Sequence, residues 1–99
     1  MITFVRTIVA MPGRIAETLA AAKEMSGLVK RATGVDVAVT TSVGGNVSEI
    51  AWISRHDSLA QLETINEKMF ADADVRAGMK KFEGLLVPGA SRDHIWTHV

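Results

Sequence analysis

The sequence predicts an α+β domain of β-α-β-β-α-β order, with helices covering one face of a four-stranded sheet. Three observations lead there. Segments rich in β-branched and aromatic residues alternate with segments whose apolar residues recur at helical spacing. Gly44-Gly45-Asn46 stands between two strand-like runs and marks a hairpin, so the second and third strands follow one another directly. The 99 residues suffice for one domain, 1–99, and leave little room for another.

The first strand is read at residues 2–11, where Ile2, Phe4, Val5, Ile8 and Val9 place apolar side chains on both alternating faces. Pro12-Gly13 breaks it. From Arg14 to about Ala32 the period becomes helical: Ile15, Leu19, Ala22, Ser26 and Val29 form one seam, and Gly34 suits its C-terminal cap. Val35, Val37, Val39, Thr41 and Val43 alternate with smaller or polar residues and predict a second strand over 35–43. The third strand follows at 47–55. Ser58 and Gln61 have capping-box spacing ahead of a helix over 59–70. Asp72-Ala73-Asp74 interrupts that helix and begins another, whose stripe is Val75, Met79, Phe82 and Leu86, with Pro88-Gly89 as the stop. The last strand is read from Ser91 to Val99.

Composition removes several functions. There is no cysteine, so disulfides, thiol nucleophiles and thiolate zinc sites are excluded. The formal net charge is zero and the basic residues are dispersed, which argues against nucleic acid as a partner. No apolar run approaches the roughly 20 residues that span a bilayer. The first eleven residues do not make a signal peptide, and a cytoplasmic protein without membrane association is expected. A chain of this size buries only about 60–65% of its unfolded surface. Such domains usually need a staple, and without disulfides a partner subunit is the natural one. Both faces of the first and third strands are apolar, and helices can cover only one of them. A homodimer paired through the sheet faces is therefore expected.

The element order, Pro12-Gly13-Arg14 between first strand and first helix, and the two-part second helix resemble the dimeric α/β barrel proteins. Within these, Leu59–Phe70, Asp72–Asp74 and Gly84-Leu85-Leu86-Val87-Pro88-Gly89 are similar to small NIPSNAP-type bacterial proteins, relatives of the antibiotic-biosynthesis-monooxygenase-like domains. The resemblance implies a ferredoxin-like fold with an antiparallel sheet, dimerised through the sheets. Members of the superfamily include cofactor-free monooxygenases and haem-degrading enzymes. The Asn-Trp-His arrangement of the haem-degrading branch cannot be placed on this chain. The motifs are short, the fold does not determine the activity, and no cofactor is called for.

Six residues are candidates for lining a ligand pocket between sheet and helices: Arg6, Trp52, His56, Asn66, His94 and Trp96. Each also has a purely structural reading. Arg6 on a central strand needs an anionic partner, either Glu49 or Asp93 on a neighbouring strand, in an internal or cross-dimer salt bridge, or the carboxylate or phenolate of a ligand. Trp52 is core packing or an aromatic wall, and Trp96 is equally ambiguous. Asn66 interrupts an apolar helical stripe and must find hydrogen-bond partners. His94 is either an exposed strand residue or the first candidate for a catalytic base. With His98 it cannot share a metal ion, because four residues of strand separate them by roughly 13 Å. No metal site is expected. The alternative to a ligand pocket is a non-catalytic dimeric module whose partner is another protein.

Overall fold

In the computed structural model, which describes residues 1–99, the strands and helices appear in the expected order. Strand β1 is Ile2–Val9, helix α1 Ile15–Thr33, β2 Ala38–Thr41, β3 Glu49–His56, α2 Leu59–Ala71, α3 Ala73–Lys80 and β4 Arg92–Thr97. The sheet has the order β2-β3-β1-β4, and every neighbouring pair is antiparallel. This is the ferredoxin-like arrangement, with β1 and β3 at the centre and the helices on one face.

Local chemistry explains most boundaries. Gly34 takes a left-handed conformation (φ 78°) in which its N–H donates to the Lys30 carbonyl, ending α1. Ser58 accepts a hydrogen bond from the Gln61 N–H, while the Gln61 side chain accepts from the Asp57 N–H. This is a capping box shifted by one residue on its return arm. Asp72 closes α2 through its own N–H and opens α3 by accepting from the Val75 N–H at 3.0 Å. One aspartate thus turns the chain between two helices.

Three segments depart from expectation. Strand β2 spans four residues, whereas the alternation suggested 35–43. Val35–Val37 instead lean towards α1, where the Ser26 hydroxyl donates to the Val37 carbonyl, and Val43 is wholly exposed. Helix α3 stops at Lys80, two residues before Phe82 and well before Leu86. Gly84 (φ 76°) turns the chain there, and residues 85–87 lie beside the end of β1, with Met11 donating to Leu85 and Val87 donating to Val9. Strand β4 is also shorter than 91–99, and all six of its residues are exposed.

The core is thin: 14 of the 99 residues are buried. Ile8 and Ile50, paired across β1 and β3, pack against Ala22 of α1. Met25 and Val29 of α1 pack against Val75 of α3. Gly78 permits that approach, since a Cβ there would stand 2.8 Å from Leu28 Cδ1. The sheet face that meets the helices is therefore the one carrying Ile2, Phe4, Arg6, Ile8, Ile50 and Trp52. The other face, with Val5, Val9, Ala51 and Ile53, has no cover within the chain. No helix is long and apolar enough to cross a membrane.

Candidate functional site

Between the helix-facing side of the sheet and the three helices lies a cavity of about 530 Å³. Fourteen of its 21 lining residues are hydrophobic, so it is an apolar chamber with a few polar groups, as ligand sites usually are. Strands β1 and β3 form its floor, and α1, α2 and α3 all contribute to its lining, α2 through Leu62, Ile65, Asn66, Met69 and Phe70.

Strand parity decides which side chains enter. On β3, Trp52, Ser54 and His56 share the helix-facing side, and on β1 they stand opposite Arg6, Phe4 and Ile2. Arg6, Trp52, His56 and Asn66, four of the six candidates, line this one cavity. His94 and Trp96 do not. The register pairs Arg6 with Asp93, which turns Asp93 towards the helices and sends residues 92, 94 and 96 to the opposite face. There His94 and Trp96 stack on each other, ring centroids 6.1 Å apart, and Trp96 is 61% exposed. The expectation that all six residues form a single lining is corrected on this point, and the cavity's only imidazole is that of His56.

Arg6 resolves its two-partner ambiguity in favour of Asp93. Its Nε donates to Oδ1 at 2.7 Å and its Nη2 to Oδ2 at 2.9 Å, a bidentate pair. Glu49 lies opposite Val9, on the uncovered face. The pair is not deeply buried: the side chains are 40% and 46% exposed, which places them at the cavity mouth on the β4 side. Hydrogen bonding to Asp93 holds the Arg6 guanidinium further into its charged form, and the same contact lowers the Asp93 carboxyl below its ordinary range. Arg6 also lies over the Phe4 ring, 5.5 Å from its centroid.

Trp52 is pinned from two sides. Its Nε1 donates to the Ala22 carbonyl of α1 at 3.1 Å, and Phe82 meets its ring edge-on at 5.5 Å and 81°. It is at once a strut between sheet and helix and part of the cavity wall. Asn66, half-buried on α2, lines the same space beside Leu62 and Ile65.

At the far end from Arg6, His56 is 3% exposed and Ser54 7%. Ser54 Oγ and His56 Nε2 are hydrogen-bonded at 2.8 Å. His56 Nδ1 is buried without any partner. Desolvation lowers the His56 pKa below its ordinary value, against a smaller opposing pull from Asp57, so the ring is neutral at pH 7. Ser54 was not among the sequence-derived candidates. Its period-two spacing between Trp52 and His56 is the signal that points to it. No group of three or more His, Asp or Glu side chains is placed to hold a metal ion.

No family model and no curated protein sequence matches the chain. Solved structures do. An uncharacterized NIPSNAP domain protein from Burkholderia xenovorans superposes with a TM-score of 0.86 at 15% identity, covering 100% of this chain and 95% of that one. A NIPSNAP family protein of unknown function from Agrobacterium tumefaciens gives 0.83 at 21% identity, covering 100% and 88%. A candidate antibiotic biosynthesis monooxygenase from Nitrosomonas europaea gives 0.75 at 8% identity, covering 100% and 99%. The chain thus has, over its whole length, the ferredoxin-like fold shared by NIPSNAP-domain and antibiotic-biosynthesis-monooxygenase-like proteins.

Proposed function

We propose that this protein binds a small aromatic or amphipathic molecule between its sheet and its helices, as a homodimer joined through the uncovered sheet face. The observation that carries the reading is the unfilled apolar cavity of about 530 Å³ into which Arg6, Trp52, Ser54, His56 and Asn66 converge from both central strands and α2. A chain that needed these residues only for packing would close such a space, since each unfilled volume sacrifices dispersion contacts. The internal pairing of Arg6 with Asp93 supports the competing module reading, but it sits at the mouth and leaves the chamber behind it open.

A cofactor-independent oxygenase is the enzymatic form of this proposal, and the fold it shares with a candidate antibiotic biosynthesis monooxygenase favours it. Such chemistry requires a base beside the substrate. His56, neutral and in the wall, takes the role first assigned to His94, which faces away.

A thermal-shift screen with aromatic acids, phenols, quinones and haem tests the binding reading. A ligand present at about 100 times its Kd stabilises the fold by about 2.7 kcal/mol, which raises Tm by several degrees in a domain of this size. The same ligand should give no shift in a Trp52→Ala variant that remains folded. An unchanged Tm across the whole panel sinks the proposal.

A further inference from the structure

We propose that the cavity selects an uncharged ligand: an apolar body carrying one hydroxyl or carbonyl oxygen that hydrogen-bonds to the Ser54 hydroxyl of the Ser54–His56 pair. This rests on the ligand-binding reading and deepens it by assigning the polar end of the site and the charge of its occupant.

The charge argument begins at the mouth. Arg6 is the only cation in the lining, and both Asp93 oxygens already hold it, so the lining carries no net charge before a ligand arrives. A carboxylate entering there meets a matched cation with a like charge beside it. It would have to displace Asp93 or be desolvated without compensation. The inner end offers no cation either. His56 is neutral because burial disfavours its charged form, and the acidic group nearest in sequence is Asp57.

The polar argument concerns the inner end. Trp52 stands opposite Arg6, and His56 lies four residues further along β3, roughly 13 Å away. Ser54 Oγ is hydrogen-bonded to Nε2 of the imidazole, while Nδ1 is closed off from the cavity. A serine hydroxyl bonded to one imidazole nitrogen retains capacity for a second hydrogen bond. That position, on a hydroxyl held in place by His56, is the one the pair leaves open in the inner lining. A single neutral oxygen on an apolar body completes it.

Three probes with one body separate the possibilities: naphthalene, 2-naphthol and 2-naphthoate, titrated calorimetrically at pH 7.5 into the full chain. The native protein should bind 2-naphthol roughly five- to tenfold more tightly than naphthalene, the effect of one net hydrogen bond. 2-Naphthoate should bind most weakly. Ser54→Ala and His56→Phe should each bring 2-naphthol down to the affinity of naphthalene while naphthalene binding persists. Ser54→Ala removes a single oxygen and guards against a folding failure in the histidine variant. Asp93→Asn frees Arg6 at the surface and should raise 2-naphthoate affinity about tenfold. Equal binding of naphthalene and 2-naphthol, or a native preference for 2-naphthoate, overturns the inference while leaving a ligand cavity standing. No binding of any probe overturns both.

Discussion

His56 is where burial and charge meet in this molecule, and the consequence is a definite pH dependence. Its folded pKa is depressed below the ordinary histidine value of about 6.5, so the unfolded chain binds a proton more readily than the native one. The stability that His56 contributes is therefore fully present above that unfolded pKa. It is lost as pH falls from there towards the folded pKa. Tm should drop between pH 7 and pH 5, and His56→Gln should flatten that slope. Asp93 also has a lowered pKa, but its contribution disappears only below its unfolded value of about 3.9, a separate window. An identical pH 7 to 5 slope in the variant would remove His56 as the cause. The parity of residues 52, 54 and 56 was legible in the sequence once β3 was recognised. The orientation of His94 was not. Whether 93 or 94 faces the helices depends on the register of β4 against β1, and a strand with mixed residues on both sides carries no signal for it.

At the scale of elements, Gly34, Ser58 and Asp72 set four of the six helix ends. Asp72 serves two helices, and Asp72→Ala should destabilise the domain by about 1 kcal/mol, up to about 2, in urea titration. Asp74, in the first turn of α3, makes an exposed ion pair with Arg31 at 2.7 Å. Its alanine variant should cost only a few tenths of a kcal/mol, as exposed pairs do. If the two costs came out reversed, the capping assignment would be wrong. Capping signals of this kind act within a few residues, which is why α1, α2 and the start of α3 were readable from the chain. The ends of β2 and α3 were not. Val35 and Val37 have strand composition but are drawn out of the ladder by Ser26 of α1, a contact eleven residues away. Phe82 and Leu86 keep a helical spacing, yet Gly84 redirects the backbone so that residues 85–87 can pair with β1.

At the scale of the molecule, a core of ten buried hydrophobic residues supports one sheet face and leaves the other bare. That face carries Val5, Val9, Ala51 and Ile53, partly shielded by one another, and the exposed Trp96 beside them. Light scattering at tens of micromolar should give twice the chain mass of 10.7 kDa. Apparent Tm should rise with protein concentration, as it does whenever association stabilises the fold. Trp96→Glu should shift the population towards monomer and remove that concentration dependence. A native monomer at this concentration would rule the dimer out.

The sequence by itself determined the order of elements, the hairpin, the caps and the apolar character of both sheet faces, because these arise from residue spacing and from contacts a few residues long. It also narrowed the site to a handful of polar residues on apolar surfaces. Only the tertiary structure decided which face the helices cover, which acid holds Arg6, and that His56 with Ser54, not His94, belongs to the cavity. Those outcomes depend on strand register and on how far the helices stand from the sheet. Both are set by the packing of side chains distant in sequence, such as Ile8, Ala22 and Ile50, and no local pattern encodes them.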